Sequence, residues 1–317
     1  MKAVKYILLL SFICSVTSLK AQTYSNEISL KSDNDSYLMD GRDRYYTNGV
    51  FLSFRRALHP EQISERLEKK ILEVTVGQKM YSPNSGYAPN PLRQDRPFAG
   101  YLYVEAGMNW FLKNESVIKA SAQVGTVGPN ALAQNGQEML HRAIGFYEPE
   151  GWDYQIRNEM AVNLSAQYTR LLYRPNNNVF DLSFDGYVNA GTTFSGAGAA
   201  VVIRAGKINQ LFHTASTFSV IGQASHTKPL VKREFFFYTK PQLNFIAYDA
   251  TIQGSIYKSN SPVTFDSKPF VFAQQLGINY SSPRFTADFG MVFKTKEVKS
   301  RARAHQYGTI SLFYRFN

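Results

Sequence analysis

Near the C-terminus, residues 285–293 read Phe285-Thr286-Ala287-Asp288-Phe289-Gly290-Met291-Val292-Phe293. Apolar side chains stand at every second position, Phe285, Ala287, Phe289, Met291 and Phe293, while Thr286, Asp288 and Lys294 fall on the alternate positions. A period of two sends successive side chains to opposite faces of a strand, so this segment has one apolar and one largely polar face. Val50-Leu52-Phe54 and Ile310-Leu312-Tyr314-Phe316 repeat the pattern, the last with Ser311 and Arg315 between. In lipid every backbone donor and acceptor must be paired within the protein, so strands can cross only as a closed barrel. Alternating segments of roughly ten residues are what such a barrel needs. A soluble sandwich also alternates, so one strand decides nothing. Recurrence along the whole chain, ending in the aromatic strand GTISLFYRFN, points to the barrel.

The pattern predicts an all-β fold: a transmembrane antiparallel barrel of about twelve strands, starting near residues 25, 45, 70, 97, 116, 154, 177, 197, 234, 268, 283 and 304. Lys113–Glu115, Pro175–Asn178 and Ser281–Pro283 read as tight turns on one side. Asp35–Arg44, Ser82–Arg96, Pro129–Asp153 and Ile252–Lys268 are long, as external loops are. On the turn side, Leu58–Lys70 reads as a helical turn, and residues 209–233 are irregular. No repeat or linker divides residues 22–317, which read as one barrel.

Residues 1–21 have the form of an export signal, with Lys2 and Lys5 before an apolar run from Ile7 to Val16 and Ala21 at a cleavage position. The run is too short for a membrane-spanning helix. The sole cysteine, Cys14, lies within it, so residues 22–317 form no disulfide and hold no thiol nucleophile. The formal net charge is +11, three of it from Lys2, Lys5 and Lys20. On an exported chain that balance suits anionic lipid headgroups, and no nucleic-acid module is present.

Polar clusters gather at the expected outer rim: Asp33-Asn34-Asp35, DRYYTNG from Asp43 to Gly49, and RQDRPFAGYLY from Arg93 to Tyr103. Taken singly, each is an ordinary polar loop, and Asx residues and Asn-Gly are common turn formers. A fourth segment, ALAQNGQEMLHRAIGF after Pro129, has helical composition, although Gly136 weakens its start. Gln137 and His141 stand one turn apart on it and share a face. Met139, Leu140 and Ile144 are expected to pack on the barrel wall.

Together these segments, SDND…DRYYTNGVFLSF, GQKMYSPN…RQDRPFAGYLYVEAG and VGTVGPNALAQNGQEMLHRAIGF…GWDYQIRNE, resemble the calcium-dependent outer-membrane lipid A deacylases that remove the 3′-acyloxyacyl chain. The likeness is close over nearly the first half of residues 22–317 and continues as barrel pattern. It implies a bacterial outer-membrane location, lipopolysaccharide as substrate and Ca2+ as cofactor. It places the family's Asn-Asp pair on Asn34 and Asp35, its strand-two hydroxyl on Thr47, and its helix glutamine and histidine on Gln137 and His141. Two positions depart. The family's Lys-Arg pair falls near Ala88–Pro89, leaving Arg93 or Arg96 as phosphate contacts. A glutamate six residues after the histidine is here Tyr147, with Glu148 beside it.

These residues suit hydrolysis by activated water. The chain has no Gly-x-Ser-x-Gly elbow. Histidine, which ordinarily titrates near neutrality, would act as general base at His141. Calcium held by Asp35 and loop carbonyls would stabilise the oxyanion, and Asn34, Thr47 and Gln137 would orient water or ester. An outer-membrane phospholipase and a non-catalytic, porin-like barrel stay open beside this reading. A monomer is assumed.

Overall fold

Twelve strands close on themselves. In the computed structural model, which describes residues 24–38, 43–59, 65–222, 227–258 and 260–317, they are β1 (Asn26–Asn34), β2 (Tyr45–Ala57), β3 (Leu67–Ser82), β4 (Ala99–Leu112), β5 (Ser116–Val127), β6 (Glu159–Tyr173), β7 (Phe180–Gly191), β8 (Phe194–Lys207), β9 (Glu234–Asp249), β10 (Phe270–Ser281), β11 (Phe285–Lys294) and β12 (His305–Phe316). Each pairs antiparallel with its neighbours in sequence, and β12 pairs with β1 from Asn26↔Phe316 to Asn34↔Gly308. Closure leaves no sheet edge, which is the condition for crossing lipid. The export signal expected at residues 1–21 lies outside the described residues.

The alternation resolves as the period of two predicts. Val50, Leu52, Phe54, Phe285, Phe289, Phe293, Ile310, Leu312 and Tyr314 are all exposed on the outer face. The intervening positions bury charge. Arg55 bridges Glu27 at 3.1 Å and Glu73 at 2.7 Å, Arg315 reaches Glu27 at 2.7 Å, and Lys119 reaches Glu73 at 3.0 Å. Polar inside and apolar outside is the inverse of a soluble protein, and lipid is the solvent that makes it stable.

Packed segments cover both mouths. At the external rim Tyr45, Ile252, Val298 and Ala302 form a small buried cluster with Phe265 against it. At the other end the connection after β8 turns inward, and Leu211, Phe212 and Ile221 pack on Ile71, Phe111 and Val117. Lys69 there donates to the carbonyls of Ser219 and Ile221 at 2.7 and 3.1 Å. Between the two lies a cavity of about 590 Å³ lined by charged groups that include Lys79, Glu105 and Lys240.

Strand starts fall within about five residues of expectation. β6 begins later than expected because Trp152–Tyr154 forms a separate 3-10 turn. The helical turn expected over Leu58–Lys70 does not extend through that span. Residues 60–64 of it lie outside the described residues, and Leu67–Lys70 already belong to β3.

The predicted helix forms as α1, Ala133–Ile144, between β5 and β6. It lies on the outer wall over the rim ends of β3 and β4. A Cβ added to Gly100 would come within 2.7 Å of Ala133 Cβ, and one added to Gly136 within 2.6 Å of Met80 Cε. Gly100 shares its face with Val104, and Met80 shares its face with Val76, both exposed on the barrel exterior. Gly100 therefore lets Ala131 and Ala133 lie directly on β4, and Gly136 leaves room for the Met80 side chain.

The packing expected of α1 is inverted. Its buried residues are Ala133, Gln137 and His141. Met139 and Ile144, expected on the wall, are 67% and 61% exposed, and Leu140 is 37% exposed. The i, i+4, i+8 stripe that meets the barrel carries the polar pair: Ala133 packs with Met80, Phe98 and Trp152, while Gln137 and His141 find Trp152, Asp43 and the Tyr147 carbonyl in the flanking loops.

Candidate active site

The face of α1 turned to the barrel carries a connected polar cluster. His141 is 2% exposed. Its Nδ1 lies 2.6 Å from the carbonyl oxygen of Tyr147, and its Nε2 lies 2.8 Å from Asp43 Oδ2. A carbonyl can only accept, so Nδ1 carries the proton and the ring orientation is fixed. A carboxylate also only accepts, so the Nε2–Asp43 contact holds a proton between nitrogen and oxygen, and both ring nitrogens are engaged. The Tyr147 hydroxyl donates to Asp43 Oδ2 at 2.6 Å and accepts from Gly86 N at 3.2 Å. Burial and the Asp43 carboxylate raise the pKa of that phenol well above the ordinary value, so Tyr147 stays a neutral donor.

Gln137 is equally buried, and its Oε1 accepts from Trp152 Nε1 at 2.8 Å. Among the described residues its Nε2 has no hydrogen-bond partner. A Cβ added to Gly86 would meet Tyr147 OH at 2.6 Å, Gln137 Nε2 at 3.0 Å and Asp43 Oδ2 at 3.3 Å. The bare glycine thus leaves a small cradle on which a donor amide, a phenol and a carboxylate converge.

The ends of β1 and β2 border this cluster. Asn34 pairs with Asn48 across the strands, and its Oδ1 accepts from Ser36 N at 2.7 Å, which turns the chain into the 3-10 segment Asp35–Leu38. The register of β2 on β3 slips between Tyr46 and Asn48, and Thr47 sits in the irregularity with its Oγ1 2.6 Å from Ser82 Oγ. Among the described residues, neither Asn34 nor Thr47 is bonded to His141.

Asp35 is 2% exposed. Its Oδ2 accepts from Arg44 N at 2.8 Å, and among the described residues its Oδ1 has no partner. Burial, reinforced by the nearby charge of Asp43 against the pull of the Arg44 amide, raises its pKa from 3.8 to about 8. A buried carboxylate with one oxygen free and a second carboxylate near it is a hard-oxygen environment that a cation would relieve. Among the described residues, no three His, Cys, Asp or Glu side chains gather as a ready metal cluster. Calcium completes its shell with carbonyls and water, so the donors present fit that ion better than zinc.

Arg93 is exposed on the turn Pro91–Arg93, where its carbonyl accepts from Arg301. Arg96 is elsewhere. It is 1% exposed, stacks 4.2 Å from the Tyr81 ring centroid and donates to Thr251 Oγ1 at 2.9 Å inside the barrel. The chain turns inward there to enter β4, so this arginine closes the lumen and does not face the outer wall.

Asp43, Tyr147 and Trp152 are the members that sequence reasoning did not assign to the site. The sequence placed Asp43 on the same rim, but only the fold pairs it with His141. Tyr147 read merely as a departure from the family pattern; Trp152 packs 4.9 Å from Phe98 while orienting Gln137.

The family model described as "Outer membrane protein LpxR" matches residues 7–316. Among solved structures, LpxR from Salmonella typhimurium superposes with a TM-score of 0.74 at 17% identity, covering 92% of this chain and all of that one. The β domain of the Bordetella autotransporter BrkA (TM-score 0.46, 7% identity, 93% of this chain and 100% of that one) and the KdgM porin (0.41, 6%, 92% and 99%) are more distant barrels. No curated protein sequence matches.

Proposed function

This chain belongs to the LpxR family of outer-membrane proteins, and on that premise we propose that it hydrolyses the 3′-linked acyloxyacyl ester of lipid A in the outer leaflet. The observation that carries the reading is the placement of the site. His141, Gln137 and Asp43 lie between α1 and the exterior of the barrel, on the side where lipid stands, and not in the lumen. An exterior polar cleft suits a substrate that never leaves the membrane.

Water gives a proton to the His141 Nε2–Asp43 Oδ2 pair, and its oxygen attacks the ester carbonyl. That proton passes to the 3′ oxygen as the ester C–O bond breaks, which returns the pair to its starting state. The unpaired Nε2 amide of Gln137 is the donor available to the carbonyl oxygen as it gains charge, and Trp152 fixes its direction. Asn34 and Thr47 order water and headgroup. Asp35, with loop oxygens, would hold calcium, which supplies positive charge to the developing oxyanion when bound. Exposed Arg93, rather than the buried Arg96, would meet a lipid A phosphate.

Purified protein incubated with lipid A and calcium tests this. A product lighter by the 3′ acyloxyacyl group, lost on chelation and in His141→Ala, is expected. Intact lipid A alongside hydrolysed phospholipid would assign the same site to a phospholipase.

A further inference from the structure

On α1, Met139, Leu140, Ala143 and Ile144 recur at helical spacing as an apolar stripe, one turn beyond Gly136, which sits against Met80. In a soluble protein that stripe would meet a core. Here the core-facing stripe is Ala133, Gln137 and His141, and the apolar one is open. Leu132 at the N-cap and Phe146 past the C-cap extend it, at 54% and 40% exposed. Asn135, Glu138 and Arg142 mark a separate polar stripe that faces away.

The open stripe is not an isolated patch. Its helix rests on Met80 and Gly100, and directly along the same outer faces of β3 and β4 come Val76 and Val104, 46% and 51% exposed. On the neighbouring strands Val124 and Met160 carry the band on, at 60% and 70%. The apolar face of α1 is therefore continuous with the surface that the barrel presents to lipid.

We infer that α1 is seated in the outer leaflet, its Leu132–Met139–Leu140–Ile144 face covered by acyl chains, so that the cleft behind it opens sideways into the membrane. The occupant is the acyl region of the leaflet because the surface it continues is already the lipid-facing band. The polar stripe with Glu138 and Arg142 then lies toward the headgroups, the arrangement of an interfacial amphipathic helix. A lipid ester reaches His141 by lateral movement, without being lifted into water. The seating stands on the fold alone, and its consequence for turnover rests on the deacylase reading.

Single-cysteine variants Met139→Cys and Ile144→Cys, with Glu138→Cys as the control on the polar stripe, are labelled with a small fluorophore and reconstituted in phosphatidylcholine vesicles. Brominated acyl chains should quench the labels at 139 and 144 strongly and that at 138 weakly, while aqueous iodide should give the reverse order. Labels at 139 and 144 that answer to iodide as strongly as 138, and not to brominated chains, would overturn the seating. This readout needs no activity, so it stands apart from the substrate assignment. In the active protein, Met139→Asp with Ile144→Asp should lower turnover of bilayer-embedded lipid A by about tenfold or more and leave detergent-dispersed lipid A unaffected. An equal fall in both media would contradict the role in access.

Discussion

Asp35 is the residue whose chemistry depends most on what is bound beside it. Its folded pKa is raised from 3.8 to about 8, so the cation-free carboxyl keeps its proton through neutrality. A cation bound there must displace that proton. Calcium affinity should therefore climb as pH rises toward about 8 and level off above it, since stability of the charged form is what the shift opposes. Titration calorimetry in buffers of different ionisation enthalpy reads the proton release directly. Asp35→Asn should weaken binding and remove the pH dependence; pH-independent binding by the unaltered chain would contradict the assignment. Gln137 makes a kinetic prediction. Gln137→Met removes the unpaired donor and should lower kcat by about 10²–10³-fold with little change in KM. A pure KM effect would assign Gln137 to substrate binding alone.

At the scale of the element, α1 works because Gly100 and Gly136 let it lie against the wall. Gly100→Leu should push Ala133 and Ala131 outward, displace Gln137 and His141, and cost about 1–3 kcal/mol of local packing. The barrel should still form, so heat-modifiable migration is retained while activity falls and limited proteolysis of the β5–β6 connection increases. Unchanged activity would show that the close approach is dispensable. This element also marks where sequence reading stops. Phe285–Phe293 and Ile310–Phe316 disclose their strands because a period of two needs no knowledge of what surrounds them. The helix and its Gln137–His141 spacing are equally local. Which stripe of α1 faces the wall is not, because Met139 and Ile144 follow the rule for burial in water while their surroundings are lipid. Asp43 and His141 meet only through the side-by-side pairing of β2 to β5 and the fold-back of the loop, and no local spacing encodes that pairing. Arg96 shows the same limit: one turn of chain direction moves it from rim to lumen.

At the scale of the molecule, both ends of the interior are covered. The Arg315–Glu27–Arg55–Glu73 network lines the inner wall along β12, β1, β2 and β3, and the Leu211–Ile221 segment and the Tyr45–Val298 cluster cover the two mouths. A planar-bilayer recording should accordingly show no stable open channel; a steady ohmic conductance would favour a porin. The barrel is then a scaffold whose exterior carries the function, with one polar cleft set into an apolar surface. That view is tested most directly by presenting lipid A and phospholipid together in one calcium-containing bilayer and following both by mass spectrometry. Loss of the 3′ acyloxyacyl group from lipid A alone, absent in His141→Ala, is the expected result. Lipid A that stays intact with calcium present and the barrel folded would contradict the account.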